Sequence, residues 1–247
     1  MSSTRYGIIA DVHANLQALE TVFAFFDEEG VEDVWCLGDV VGYGGDPSAC
    51  VAIVRERCLG TVRGNHDLAA VDARLRAWFN PHARAAIERQ AELLSEDERA
   101  WIRSLPATLE APGAALTHSG FADPDAFDYV HGPRHAEVEL AAQPAAIGFY
   151  GHTHVPALWH GAGGGAERAL LSEGGSVRLA GAGKWLVNPG AVGQPRDGDP
   201  RAACAIFDSG DATLRYVRLA YDVAAAQDAI AGAGMPAFEA ERLAHGQ

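Results

Sequence analysis

The first 65 residues alternate between apolar runs and helical stretches, and this rhythm restricts the fold more than any other feature of the chain. Tyr6 to Ala10 forms one apolar run, and a helical stretch follows from Ala14 to Glu29. Val31 to Leu37 forms a second run. Asp46-Pro47 then reads as a helix N-cap with proline at the first helical position, and Cys50, Ile53 and Val54 recur behind it at helical spacing. A short third strand is expected near Thr61-Val62. Strands joined by helices in this way predict a parallel sheet with helices packed on it, because parallel neighbours need long crossover connections.

Residues 68–105 interrupt the rhythm with helix signals and no strand. Asn80-Pro81 opens one helix, and Ser95-Glu96-Asp97-Glu98 has the form of a capping box for another that Pro106 ends. Trp78, Phe79, Ile87, Leu93, Leu94, Trp101, Ile102 and Leu105 give these helices apolar faces. The segment reads as a core-packing insertion, with a cap over an active site or a dimer contact as the alternatives. Beyond residue 107 strands dominate, with candidates at 114–118, 146–150, 155–159, 168–172, 176–179, 184–188, 202–208 and 212–219. Gly161 to Gly165 and Gly174-Gly175 read as hairpin turns, and a last helix is expected near Asp222. No repeat, coiled coil or linker is visible. The expectation is one α/β domain over residues 1–247 with a second, largely antiparallel sheet, long enough to bury roughly three quarters of its unfolded surface.

Charge narrows the partners. Asp and Glu total 33 against 19 Lys and Arg, a formal net charge of -14. That excess disfavours a basic face for duplex nucleic acid or an anionic membrane. No stretch approaches the ~18 apolar residues of a membrane helix, and the start, MSSTRYGIIADVHANL, lacks the pattern of a signal peptide. Cys36, Cys50, Cys58 and Cys204 form no C-x-x-C pair, so reduced thiols in a cytoplasmic protein are expected.

Metal-type side chains gather where apolar runs end: Asp11-Val12-His13, Gly38-Asp39, Gly64-Asn65-His66-Asp67, Thr117-His118-Ser119 and Gly151-His152-Thr153-His154. Ligands of an open parallel sheet bind beyond the carboxyl ends of its strands. Residues two apart on an extended segment share a face, so Asp11 with His13, and His152 with His154, can each converge on one site. Carboxylate, imidazole and amide oxygen suit Mn, Fe, Zn, Co or Ni, and the absence of cysteine argues against a thiolate zinc site. Two aspartates, one asparagine and four histidines are too many for one ion and suit two that share a carboxylate.

These five blocks, in this order, resemble the calcineurin-like metallophosphoesterase superfamily. Gly38-Asp39-Val40-Val41-Gly42-Tyr43-Gly44 and Asn188-Pro189-Gly190-Ala191-Val192 look like its small bacterial phosphodiesterase branch. The resemblance implies a four-layer α/β/β/α sandwich of two mixed sheets flanked by helices, with residues 68–105 as a helical insertion. It implies two divalent metal ions, manganese first among the candidates. Asp11, His13 and His154 would hold one ion, Asn65, His118 and His152 the other, and Asp39 would bridge them. A hydroxide between the ions would attack the phosphorus, and His66 would contact the scissile phosphate and protonate the leaving oxygen. The protein-phosphatase branch has an Asp-Arg pair three and four residues after the bridging aspartate, where this chain has Gly42 and Tyr43. What orients His66 is therefore open, with Arg63 and Arg196 as replacements for the missing arginine and Tyr43 as a pocket residue. The loss favours a small phosphodiester or nucleotide-type substrate. Rival readings are a dinucleoside polyphosphate hydrolase, a protein phosphatase, or a metal-binding interaction scaffold of the same fold, as in the retromer subunit; self-association would use the 68–105 helices. The remaining histidines, His82, His131, His135, His160 and His245, read as surface or core residues, and Asp123-Pro124-Asp125 as a solvated turn.

Overall fold

In β1 (Arg5–Ile9) alternate side chains go to opposite layers: Tyr6 and Ile8 join a core between two sheets, while Ile9 joins a core beneath helices. The structure, a computed structural model, describes residues 5–171 and 173–247. β1 pairs in parallel with β2 (Asp33–Cys36), which pairs in parallel with β3 (Cys58–Thr61). The crossovers are α1 (Leu16–Glu28) and α2 (Pro47–Arg57). Asn15 caps α1 by accepting the Ala18 N–H at 3.1 Å, and Ala18, Leu19, Val22, Phe23 and Phe26 form its buried stripe. Proline does open α2, but the Asp46 side chain makes no capping bond.

The first sheet runs β3-β2-β1-β11-β12-β9, completed in antiparallel fashion by β11 (Ala202–Asp208), β12 (Thr213–Leu219) and β9 (Ser176–Arg178). The second sheet runs β4-β5-β6-β10-β7-β8, from β4 (Thr108–Ala111), β5 (Ala114–Thr117), β6 (Ile147–Phe149), β10 (Lys184–Asn188), β7 (Ala157–Gly161) and β8 (Ala166–Ala169). It is mixed rather than largely antiparallel. Helix α6 (Pro133–Ala142) carries the chain over from β5 to β6, which pair in parallel, and β6 pairs in parallel with β10. Leu37, Val62, Leu116, Phe149, Leu158, Val187 and Phe207 fill the space between the sheets. Leu140 and Ala136 of α6 cover the outer face of the second sheet, giving the expected α/β/β/α layers.

Two strand expectations change. β4 has no strand signal of its own, being a half-exposed edge, and joins β5 across Pro112-Gly113. Gly174-Gly175 makes no hairpin, because β8 and β9 lie in different sheets and the segment carries the chain between them. Ser172, last residue of the strand expected at 168–172, lies outside the described residues, as do residues 1–4 of the amino-terminal stretch.

Between residues 65 and 104 the chain forms α3 (Asn65–Val71), a 3-10 turn (Ala73–Trp78), α4 (Pro81–Leu93) and α5 (Glu96–Ser104). Asn80 caps α4, and the Ser95–Glu98 capping box is formed on both sides. Ile87, Leu94 and Ile102 are buried as expected, but Trp78 is 87% exposed and Leu93 lies on the outside. α7 (Val223–Gly232) starts from the Asp222 cap and is followed by α8 (Ala237–Glu241). Among the described residues no helix is long and apolar enough to cross a membrane.

Candidate dinuclear metal centre

The loops after β1, β2, β3, β5 and β6 meet at one edge of the two sheets and carry the five motif blocks. Backbone bonds lock the first two loops together: Asp11 N–H donates to Gly38 O at 3.0 Å and His13 N–H to Asp39 O at 2.9 Å. These loops are bent sharply. Asp11, His13, Asp39, His152 and His154 all adopt left-handed backbone, with φ of 53, 48, 51, 65 and 58°. Gly64 leaves room for the Asp39 carboxylate, with which a Cβ at that position would collide.

The side chains form two groups. Asp11, His13, Asp39 and His154 place ligand atoms within 4.8 Å of one another, and so do Asp39, His118 and His152. Asp39 belongs to both. Its Oδ2 is 3.7 Å from His13 Nε2 and 3.3 Å from His118 Nε2, with no hydrogen-bond partner, while Oδ1 accepts the His66 N–H at 2.8 Å. His154 Nε2 lies 3.4 Å from Asp11 Oδ1, and Asn65 Oδ1 lies 3.2 Å from His118 Nε2, joining the second group. His13, His118 and His154 pair Nδ1 with the carbonyls of Val41, Leu37 and Gln194 at 3.1, 2.7 and 2.6 Å. A Nδ1–H donated to a carbonyl leaves the Nε2 lone pair facing inward, the usual support of a metal-bound imidazole. His13 and His154 Nε2 then face each other at 3.0 Å, and His152 Nε2 is buried without a partner. Such facing acceptors repel unless a cation lies among them, so the donor set fits two divalent ions.

Electrostatics agree with that fit. Burial pushes the Asp11 carboxyl up to about 7, with the charge of Asp39 adding to it and His118 opposing. Burial acts against the Asp39 charge too, but His118 and His66 override it and hold this carboxyl well below the usual range. Burial would depress His118, yet the charge of Asp39, whose Oδ2 stands 3.3 Å away, pushes it up to about 9. Burial drives His13 and His154 well below the ordinary imidazole value, and takes His152 to about 3 and His66 to about 4.

His66 sits among rings. Tyr43 is 4.5 Å away between centroids, and Phe79 and His13 are each 4.8 Å away. Its Nδ1 is buried with no hydrogen-bond partner, and a Cβ on residue 42 would stand 2.5 Å from that atom. Packing, not an acid, therefore orients His66. Sequence reasoning missed the groups that hold these loops. Gln90 accepts the Gly42 N–H at 2.5 Å and donates to Gly44 O at 2.6 Å. Asp67 accepts from Val41 and Gly64, and Asn188 donates to Gly151 O at 2.6 Å and Thr153 Oγ1 at 3.0 Å. Asp67 and Asn188 stand inside noticed motifs; Gln90 carries no local signal.

A cleft of about 950 Å³ opens from Asn65, His66 and His152. Tyr43, Arg63 and Arg196 all line it, as do Trp78, Phe79, Phe127, Tyr129 and Arg242. Arg63 pairs with Asp125 at 2.6 Å, while the acidic turn itself is exposed, as expected. Arg196 donates to Tyr43 Oη at 3.2 Å and Gln194 Oε1 at 2.9 Å. Tyr129 stacks on His152 at 4.1 Å and in turn carries His131, while His160 stacks on Trp185 in the second sheet.

Comparison with known proteins gives the family. A calcineurin-like phosphoesterase superfamily domain matches residues 5–211. A metallophosphoesterase from Sphaerobacter thermophilus is 34% identical over the whole of both chains, with a TM-score of 0.87. The uncharacterized protein MJ0912 of Methanocaldococcus jannaschii is 32% identical over 98% of each chain. Protein PH1004 of Pyrococcus horikoshii OT3, 18% identical over 98% of each chain, shares the fold with a TM-score of 0.78. The chain belongs to the calcineurin-like phosphoesterase superfamily, as a metallophosphoesterase with a candidate site for the family's two metal ions.

Proposed function

We propose that this protein hydrolyses a small phosphodiester or nucleotide-type substrate at two divalent ions. The observation that carries the reading is Asp39, which stands in both ligand groups with one oxygen unpartnered. Asp11, His13 and His154 would hold one ion, Asn65, His118 and His152 the other, and Asp39 both. Bound ions of this kind supply positive charge against phosphoryl oxygens and an activated water near neutral pH. Manganese is our first choice among ions that accept mixed oxygen and nitrogen donors.

His66 is assigned to protonate the leaving oxygen. Burial keeps its imidazole neutral, and the anionic substrate favours its protonated form. The preference for diesters rests on charge. Gly42 and Tyr43 replace an acid and an arginine, and Arg63 is paired with Asp125, which leaves the reacting phosphate with less positive charge than the protein-phosphatase pattern supplies. A monoester dianion asks for more. Exposed Trp78, with Phe127 on the cleft wall, offers ring faces to a nucleobase. With Phe79 on His66, these contacts favour reading residues 68–105 as a cap on a single domain spanning residues 1–247. Four thiols, three of them buried, favour a cytoplasmic setting.

The test compares bis-p-nitrophenyl phosphate with p-nitrophenyl phosphate on manganese-loaded protein. The diester should give the higher kcat/KM, and His66→Ala should lower it by roughly 10²-fold or more. A strong excess of monoesterase activity would overturn the diester preference. Inactivity on a broad phosphoester panel, with His66→Ala indistinguishable from the parent, would favour the scaffold reading.

A further inference from the structure

Two guanidinium groups from distant parts of the chain meet on the Tyr43 ring. Arg196 Cζ is 5.5 Å and Arg242 Cζ 5.7 Å from its centroid. Arg242 opens the 3-10 turn (Arg242–His245) that follows α8. Both line the cleft that holds Asn65, His66 and His152, and Tyr43 is the ring next to His66.

Their charges are poorly matched. Among the described residues Arg196 has no carboxylate within 4.0 Å, and its bonds go to neutral groups, Tyr43 Oη and Gln194 Oε1. Arg242 Nε donates to Gln247 O at 2.6 Å, and its carboxylate partner is Glu239 at 3.5 Å, a buried side chain that also accepts from Gln194 Nε2. One acid thus faces two guanidinium groups at the wall of an open cleft, in a chain where acids outnumber bases 33 to 19. Arg63 across the cleft shows the contrast, since Asp125 quenches it.

We infer that Arg196 and Arg242, braced by Tyr43, form a subsite for a second phosphoryl group of the substrate, beside the one that reacts at the ligand cluster. The substrate class is a nucleotide anhydride with at least two linked phosphoryl groups, because planar guanidinium forks match phosphate oxygens in pairs. Hydrolysis would consume one water, break one P–O bond between phosphoryl groups, and place the proton on the departing phosphate. This inference rests on the phosphoesterase reading and narrows it.

Two measurements on the full chain test it. In the first, tripolyphosphate and orthophosphate are titrated calorimetrically into protein held in EDTA. The parent should bind tripolyphosphate about tenfold more tightly, Arg242→Gln should lose that preference, and Arg242→Lys, which keeps the charge, should retain part of it. In the second, manganese-loaded protein is offered diadenosine tetraphosphate and bis-p-nitrophenyl phosphate. The ratio of kcat/KM for the first over the second should fall about tenfold in Arg242→Gln, mainly through KM. Equal tripolyphosphate binding by parent and Arg242→Gln would overturn the subsite, as would an unchanged ratio while bis-p-nitrophenyl phosphate is still hydrolysed. Hydrolysis of neither substrate would overturn the phosphoesterase reading instead, and the titration would still decide the subsite.

Discussion

Phe79 stands edge-on to His66, with ring centroids 4.8 Å apart and planes at 76°. Phe79 directly follows the 3-10 turn that ends at Trp78, so the helical segment after β3 delivers a ring to the residue assigned to proton transfer. In a site where Gly42 occupies the place of an orienting acid, van der Waals contact supplies the orientation.

Phe79→Leu should therefore act on turnover more than on binding. Steady-state kinetics with a diester should show kcat lower by about tenfold or more, because small misplacements of a reacting group are costly, and KM within about twofold. Full kcat would show that Tyr43 and His13 suffice to hold the ring.

Gly42 is irreplaceable for a steric reason. Its φ is +107°, and a Cβ would stand 2.5 Å from His66 Nδ1 and 2.9 Å from His13 Nδ1. Gly42→Ala should lose about 1–3 kcal/mol in urea unfolding and most of its activity. Gly42→Asp, which restores the acid of the protein-phosphatase branch, should do no better. A fully active Gly42→Asp protein would show that the loop can open.

Asn188 is wholly buried and ties the loop that carries His152 and His154: besides its bonds to Gly151 and Thr153, its Oδ1 accepts the Gly190 N–H at 2.8 Å. Asn188→Ala leaves the Gly190 N–H without its partner and takes one bond each from Gly151 O and Thr153 Oγ1. We expect a loss of about 2–4 kcal/mol in chemical denaturation and manganese affinity weaker by roughly 10–100-fold in calorimetry.

Ion binding should release protons. Without ions His118 keeps its proton up to about pH 9 and Asp11 keeps its own up to about pH 7, and a cation displaces both. Manganese affinity should rise with pH, by about tenfold per unit for each proton displaced. The raised Asp11 pKa gives stability that is complete below its unfolded value of about 3.8 and is lost as pH rises through about 7. The ions replace that loss, so the difference in Tm between loaded and EDTA-treated protein should widen from pH 6 to pH 8. At a hundredfold excess over Kd, ion binding is worth about 2.7 kcal/mol, on the order of 5–10 °C here. Calorimetry in two buffers of different ionisation enthalpy would count the protons, and none released at pH 6 would refute the assignment.

The candidate ligand set was readable because each member sits where an apolar run stops, and because strand ends of a parallel sheet converge. Asp11, Asp39 and Asn65 needed only local pattern. Arg242 and Gln90 did not announce themselves. They reach Tyr43 and Gly42 across long stretches of chain, and nothing in their neighbours' spacing encodes the meeting. Helical spacing put Trp78 on an apolar face, but it ends the 3-10 turn exposed on the cleft, because periodicity cannot tell a face covered by protein from one that borders a cleft. β4 was invisible for a related reason: an edge strand with Glu110 exposed lacks the apolar run of a buried one.

The left-handed backbone at Asp11, His13, Asp39, His152 and His154 has an evolutionary consequence. Each such residue costs about 1–2 kcal/mol that glycine would avoid. The chain is thus tuned against its own thermal optimum at the positions that would bind the ions, and a library of variants sorted for heat resistance alone would enrich molecules with a dismantled site. Directed evolution of this scaffold needs catalysis as a concurrent gate.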